Sequence, residues 1–187
     1  MISEFSPTVD RQSSPVRCLA WHPHTAKLCV ALQDDSIHVH SSQQLVKPVL
    51  KHAGQRAVNC MAWKPCGSSE LAVGCQAGVL LWHVDPASFV SRSVKVSNSC
   101  LDLFTSFLKC LKPMSRPSTS CVTKLFRAGH TPVTGVCWDP HGKLLVSCSP
   151  ADTSMLVWSP ASEVATPLRR VGGGCVSLVK WSSPPSR

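Results

Sequence analysis

The chain has 187 residues, 43% of them hydrophobic and 16% charged, and a formal net charge of +9. No stretch reaches the ~18 consecutive apolar residues of a membrane-spanning helix, and residues 1 to 20 lack the apolar core of a secretory signal. The charge is local: residues 92 to 127 carry +6 of it, so the rest of the chain is nearly balanced and gives little support to a nucleic-acid surface spread along it.

After a lead-in over residues 1–15, Val16 to Trp21 alternates in polarity and ends in Trp21-His22-Pro23. The pattern predicts a strand, followed by strands at Lys27 to Leu32 and Ser36 to His40 and a weaker one near Gln44 to Leu50. The same order returns at Val58 to Trp63, Glu70 to Cys75 and Val79 to Val84, and again at Val133 to Trp138, Lys143 to Cys148 and Ser154 to Trp158. Cys175 to Trp181 then starts a further copy. Trp21, Trp63, Trp138 and Trp181 each close a first strand shortly before a proline, while Trp82 and Trp158 stand on third strands, where the first copy has His40.

Trp21 and Trp63 are 42 residues apart, and Trp138 and Trp181 are 43 apart, which is the length of one four-stranded propeller blade of ~40 to 45 residues. The expected fold is therefore all-β: an incomplete β-propeller of the WD40 type, with about three blades and one strand of a fourth. Blades are placed at 16–56, 57–92 and 129–172, a return strand or loop at 116–128, and the start of the fourth blade at 173–187. A seven-bladed ring needs roughly 300 residues at ~42 per blade, so the chain reads as a fragment.

Residues 93–115 break this rhythm, because Trp63 and Trp138 are 75 residues apart. Leu101, Leu103, Phe104, Phe107, Leu108 and Leu111 give the insertion an amphipathic helical pattern. It admits three readings: a surface helix packed on a blade, a helix that binds a membrane or partner, or translated intron, since Lys95-Val96-Ser97 can be encoded by a splice-donor sequence.

The eleven cysteines are spread along the repeats rather than clustered, and Cys18, Cys29, Cys60, Cys75, Cys137 and Cys148 fall in or beside apolar strands. They read as free thiols serving as small hydrophobes in a reducing cytosolic or nuclear protein. No Cys-x-x-Cys pair or His-x-x-x-His helix is present, so no metal site and no cofactor are expected.

His130, Ser147 and Asp152 are the residue types of a hydrolytic triad. Their positions fit a WD-repeat hydrogen-bond network better: His130 precedes the first strand of its blade, Ser147 is inside the second, Asp152 lies in the following turn and Trp158 is on the third. Such a chain of contacts gives each buried polar group a partner, whereas a nucleophile needs exposure and an oxyanion hole. The expectation is a structural network, with no catalytic residue and no enzyme activity. The first blade keeps Asp34 but has Ala31 in the expected serine slot, and the second has Val73 there, retaining Trp82 with His52 as its candidate partner.

The peptides Ala20-Trp21-His22-Pro23-His24-Thr25, Val30-Ala31-Leu32-Gln33-Asp34-Asp35-Ser36-Ile37, Leu71-Ala72-Val73-Gly74-Cys75-Gln76 and Gly129-His130-Thr131-Pro132-Val133-Thr134, taken in order, resemble the aladin-like WD-repeat nucleoporins. The resemblance covers about residues 1 to 92 and 116 to 187 and leaves the insertion without a counterpart. It implies a non-catalytic scaffold of the nuclear pore complex at the nuclear envelope, supporting nucleocytoplasmic transport. The implied partners are other nucleoporins, including a transmembrane one, so membrane association is indirect and neither a small-molecule substrate nor direct nucleic-acid binding is expected. The alternatives are a generic WD40 adaptor of another complex and a basic nucleic-acid-associated WD protein.

Overall fold

The protein is described as a computed structural model, in which residues 14–41, 48–66, 69–84 and 121–182 are placed. Twelve strands build three antiparallel four-stranded sheets among these residues. The first contains β1 (Val16–Trp21), β2 (Lys27–Leu32), β3 (Ile37–Ser41) and β4 (Val49–Leu50). The second contains β5 (Cys60–Trp63), β6 (Glu70–Cys75), β7 (Gly78–His83) and β8 (Val122–Leu125). The third contains β9 (Gly135–Trp138), β10 (Leu145–Cys148), β11 (Ser154–Ser159) and β12 (Val164–Arg169). The sheets do not close into a ring, and the architecture is that of an incomplete β-propeller.

β8 pairs with β7 through Val79↔Leu125 to Trp82↔Val122, so the strand returning after the insertion completes the second sheet. Residues 93–115 lie outside the described residues, and so does most of the stretch expected to form the fourth strand of the first blade. Cys175 to Trp181, expected to begin a fourth blade, lies beside β9 without ladder pairing among the described residues.

Strand alternation gives each sheet two faces, and the faces that neighbouring sheets turn toward each other are apolar and buried. Between the first and second sheets, Cys29, Ala31, Ile37 and Val39 meet Trp63, Leu71, Val73, Leu80 and Trp82. Between the second and third, Ala72, Val79 and Leu81 meet Val133, Trp138, Leu145, Leu156 and Trp158. The first strands β1, β5 and β9 also touch in succession, which puts them on the inner side of the array.

Two glycines mark where neighbouring parts come too close for a side chain. Gly142 has φ +67°, and a Cβ there would lie 2.6 Å from the Pro65 carbonyl oxygen, so the β9–β10 turn rests directly on the turn of the preceding sheet. A Cβ on Gly135 would lie 2.6 Å from the Cys148 sulfur, so β9 must be bare at that point.

Because β8 is held by its ladder with β7, deleting residues 93–115 is expected to leave the β-sheet signal in circular dichroism intact. Loss of that signal would show that the insertion is part of the core.

Candidate functional site

Ser147 is completely buried on β10, and two side chains meet its hydroxyl. His130 Nδ1 lies 2.9 Å from Asp152 Oδ2, and its Nε2 lies 2.9 Å from Ser147 Oγ. Trp158 Nε1 donates to Ser147 Oγ at 2.8 Å. With Asp152 accepting from Nδ1–H, the other nitrogen of a neutral imidazole accepts from the serine hydroxyl, whose lone pair receives the indole proton. No polar atom in the chain of contacts is left over. Asp152 also accepts from Ser154 N at 2.8 Å, which ties the turn between β10 and β11 to the network.

Partial burial raises the Asp152 carboxyl, but the hydrogen bonds it accepts from Ser154 and His130 outweigh that effect and hold its pKa below the ordinary 3.8. The hydroxyl that a hydrolase would expose has 0% exposure and faces the second sheet, where no substrate reaches it.

The second blade solves the same problem differently. Val73, opposite Leu80, stands at the level where Ser147 stands opposite Leu156, and it offers no hydroxyl. Gln55, 3% exposed, fills the gap: its Oε1 accepts from Trp82 Nε1 at 2.9 Å, and its Nε2 donates to the carbonyls of Asp35 and Leu50 at 2.7 and 3.1 Å. His52, the expected candidate, instead sets its ring edge-on to Trp82 with centroids 6.4 Å apart. Gln55 went unread in the sequence although a signal existed. It precedes Trp82 by nearly the interval that separates His130 from Trp158.

In the first blade, the position level with Ser147 is Val30, not the expected Ala31. The register Leu28↔His40 and Val30↔His38 matches Leu145↔Trp158 and Ser147↔Leu156, while Ala31 turns to the opposite face and packs toward the second sheet. Asp34 belongs to a separate surface cluster: it accepts from Ser36 Oγ at 2.6 Å and from Lys51 Nζ at 3.3 Å, and Ser36 Oγ lies 3.1 Å from His38 Nε2. The Ser36 hydroxyl is the largest influence holding the Asp34 carboxyl below its ordinary value.

The tryptophans that end first strands form a second repeated contact. Trp63 Nε1 donates to Ala20 O at 3.3 Å, Trp138 Nε1 to Ala62 O at 3.1 Å and Trp181 Nε1 to Cys137 O at 3.2 Å. Each indole thus reaches the carbonyl just before the corresponding tryptophan of the preceding blade. The following residue in the motif often covers the next indole: His22 is edge-on to Trp63 at 4.8 Å, and Lys64 Nζ lies 5.5 Å from the Trp138 ring centre. Asp139 uses the same position to anchor its turn, accepting from Leu144 N at 2.7 Å.

All nine described cysteines are free. Burial pushes the Cys18 thiol up to about 11 and those of Cys29 and Cys60 up to about 12, far from the thiolate that reacts. Among the described residues no group of three or more His, Cys, Asp or Glu side chains could hold a metal ion, and no helix is long and apolar enough to cross a membrane.

Two substitutions examine the network. Ser147→Ala strands the Trp158 N–H and a His130 nitrogen and is expected to cost roughly 1 to 3 kcal/mol in urea unfolding. Asp152→Asn reads the pH dependence. Since the folded-state pKa of Asp152 lies below 3.8, its ionic contribution is full above that value and is lost as pH falls through the folded one. The stability gap between parent and Asp152→Asn should therefore shrink as unfolding is followed below pH 3.8, and a constant gap would remove the charge from the explanation.

The WD domain, G-beta repeat family matches residues 4–41 and 119–159. Aladin of Arabidopsis thaliana is 26% identical over 162 residues, spanning 83% of this chain and 34% of that protein. The chain thus spans about a third of the length of this curated relative. The solved structure of U3-55K superposes with a TM-score of 0.58 at 21% identity, covering 90% of this chain and 43% of that one, which supports the fold. The chain thus resembles WD repeats over part of its length and Aladin over most of it, and its described residues fold as blades of an incomplete β-propeller.

Proposed function

We propose that this chain is a non-catalytic WD-repeat scaffold of the nuclear pore complex, supporting nucleocytoplasmic transport through protein contacts at the nuclear envelope. The observation that carries the reading is its likeness to Aladin along 83% of its length. The site geometry agrees with it. The Ser147, His130 and Asp152 set is used up by internal hydrogen bonding beneath a neighbouring sheet. The repeat-defining residues Trp21, Trp63, Trp82, Trp138 and Trp181 belong to blade construction rather than to a ligand pocket. Its partners on this reading are other nucleoporins, among them a transmembrane one that brings it to the membrane without insertion.

Location tests the proposal. A tagged protein containing these residues within a completed propeller is expected at the nuclear rim, and the staining should survive RNase and neutralisation of the basic residues between 92 and 127. Diffuse cytosolic signal would favour an adaptor of another complex, and loss of the rim after RNase would favour a nucleic-acid-associated WD protein.

A further inference from the structure

The end of the sheets that carries the β2–β3, β6–β7 and β10–β11 turns changes in charge from blade to blade. The first blade places Asp34 and Asp35 in its turn, and the third places Asp152 there. Each of these carboxylates is engaged: Asp34 with Ser36 and Lys51, Asp35 with Val58 N, and Asp152 with His130 and Ser154. The turn of the second blade is Gln76-Ala77 and brings no acid.

Two arginines flank that turn. On one side Gln76 N donates to Arg56 O at 2.8 Å. On the other, a Cβ on Gly78 would lie 2.7 Å from Leu125 O and 3.6 Å from Phe126 Cα, so the turn also rests on the strand that leads into Phe126-Arg127. Arg56 and Arg127 are exposed, and among the described residues neither forms an ion pair. Arg127 Nη1 donates only to the Ala165 carbonyl, at 3.4 Å. Beside it Phe126 is 56% exposed, with Lys124 Nζ 5.0 Å from its ring centre.

This surface belongs to the second blade, which has a packed sheet on each side. The chain leaves β7 after His83 and re-enters the sheet at Val122, at the opposite end of the β7–β8 pair from Gly78 and Leu125.

We propose that this surface binds an acidic linear segment of a partner protein, its carboxylates meeting Arg56 and Arg127 and an apolar side chain packing on Phe126. A guanidinium suits a carboxylate because its planar donors meet both oxygens at once. The neighbouring blades carry acids in the equivalent turns, and here the partner supplies them. Nucleic acid fits less well, since stacking successive bases needs open aromatic faces and the single phenylalanine has Lys124 over its ring. The contact goes beyond the scaffold reading above and does not depend on the complex being the nuclear pore.

The test uses the purified 187-residue chain and a fluorescein-labelled peptide of glutamates around one leucine, read by fluorescence anisotropy. Saturable binding is expected, weakening as salt is raised. Arg56→Glu and Arg127→Glu together should raise the dissociation constant about tenfold, because like charges then face each other across the contact. Phe126→Ala should raise it by a smaller factor. Lys143→Glu, an exposed charge reversal in the β9–β10 turn at the other end of the sheets, should leave it unchanged. Circular dichroism checks that each variant stays folded, and Arg56→Gln with Arg127→Gln replaces the reversed pair if that pair unfolds. Absence of saturable binding, indifference to Phe126→Ala, or equal weakening by Lys143→Glu and the arginine pair overturns the proposal. So does tighter binding of an oligouridylate through the same arginines, which would make the surface one for nucleic acid.

Discussion

The structure depends on one joint, the indole N–H of a first-strand tryptophan meeting the backbone carbonyl that precedes the equivalent tryptophan one blade earlier. Backbone hydrogen bonds hold each sheet together, but nothing in a sheet fixes its angle or height relative to the next. A directional donor on a large flat ring supplies both, and the ring also contributes apolar area to the seam. The close approach requires small residues on the receiving strand, which explains why Cys18, Ala20, Cys60, Ala62, Gly135 and Cys137 occupy the positions they do. At Gly74, too, a Cβ would run into the Cys60 sulfur. The cysteines are therefore best understood by size. Their raised pKa values follow from burial in the seams that their small volume makes possible.

Inside this frame the blades differ in how they satisfy buried polar groups. The third uses four side chains, with Asp152 at the rim linked through His130 and Ser147 to Trp158. The second uses one glutamine, which pairs the Trp82 indole and spends its amide on carbonyls of Asp35 and Leu50 in the preceding blade. Gln55 therefore links two blades where His130 links elements of its own. Asp35 adds to that joint, since its carboxylate accepts from Val58 N at 3.0 Å. The first two blades are thus coupled by polar contacts at one end and by the tryptophan joint at the other, and the third meets the second through apolar packing, Trp138 and the polar contacts of Val133, whose N–H donates to Cys75 O at 3.1 Å and whose carbonyl accepts from Asn59 Nδ2 at 3.3 Å.

The repeat was legible because its carriers are rare residues at fixed intervals: tryptophans on first and third strands fix blade length and strand order with little help from propensity. β1, β2 and β6 fall on the residues that alternation marks, with the same bounds. The central network was legible as residue types in the right elements. What alternation could not give was side. Placing Ala31 rather than Val30 level with Ser147 is a one-residue slip, and in a strand such a slip moves a side chain to the opposite face. Gln55 was missed because an amide substitutes for a histidine and a serine at once, and no residue-type pattern announces that. The pairing of β8 with β7 is a contact across a long insertion, which local periodicity does not report. Residues 175–181 carry the wording of a strand and lie beside β9 without ladder pairing among the described residues.

Burial also decides where a partner can be met. The inner faces of the sheets are consumed by neighbouring blades, and the Ser147 network lies within one of those seams, so its chemistry is spent on rigidity. Among the described residues, blade-to-blade packing leaves the strand ends and turns in contact with water. These turns carry polar anchors such as His22, whose Nδ1 accepts from His24 N and Thr25 N at 3.1 and 3.0 Å, and Asp139, so their backbone is held by the chain itself. The two tasks are thus separated along each blade: tryptophan joints hold blade to blade, and side-chain acceptors hold the turns between strands.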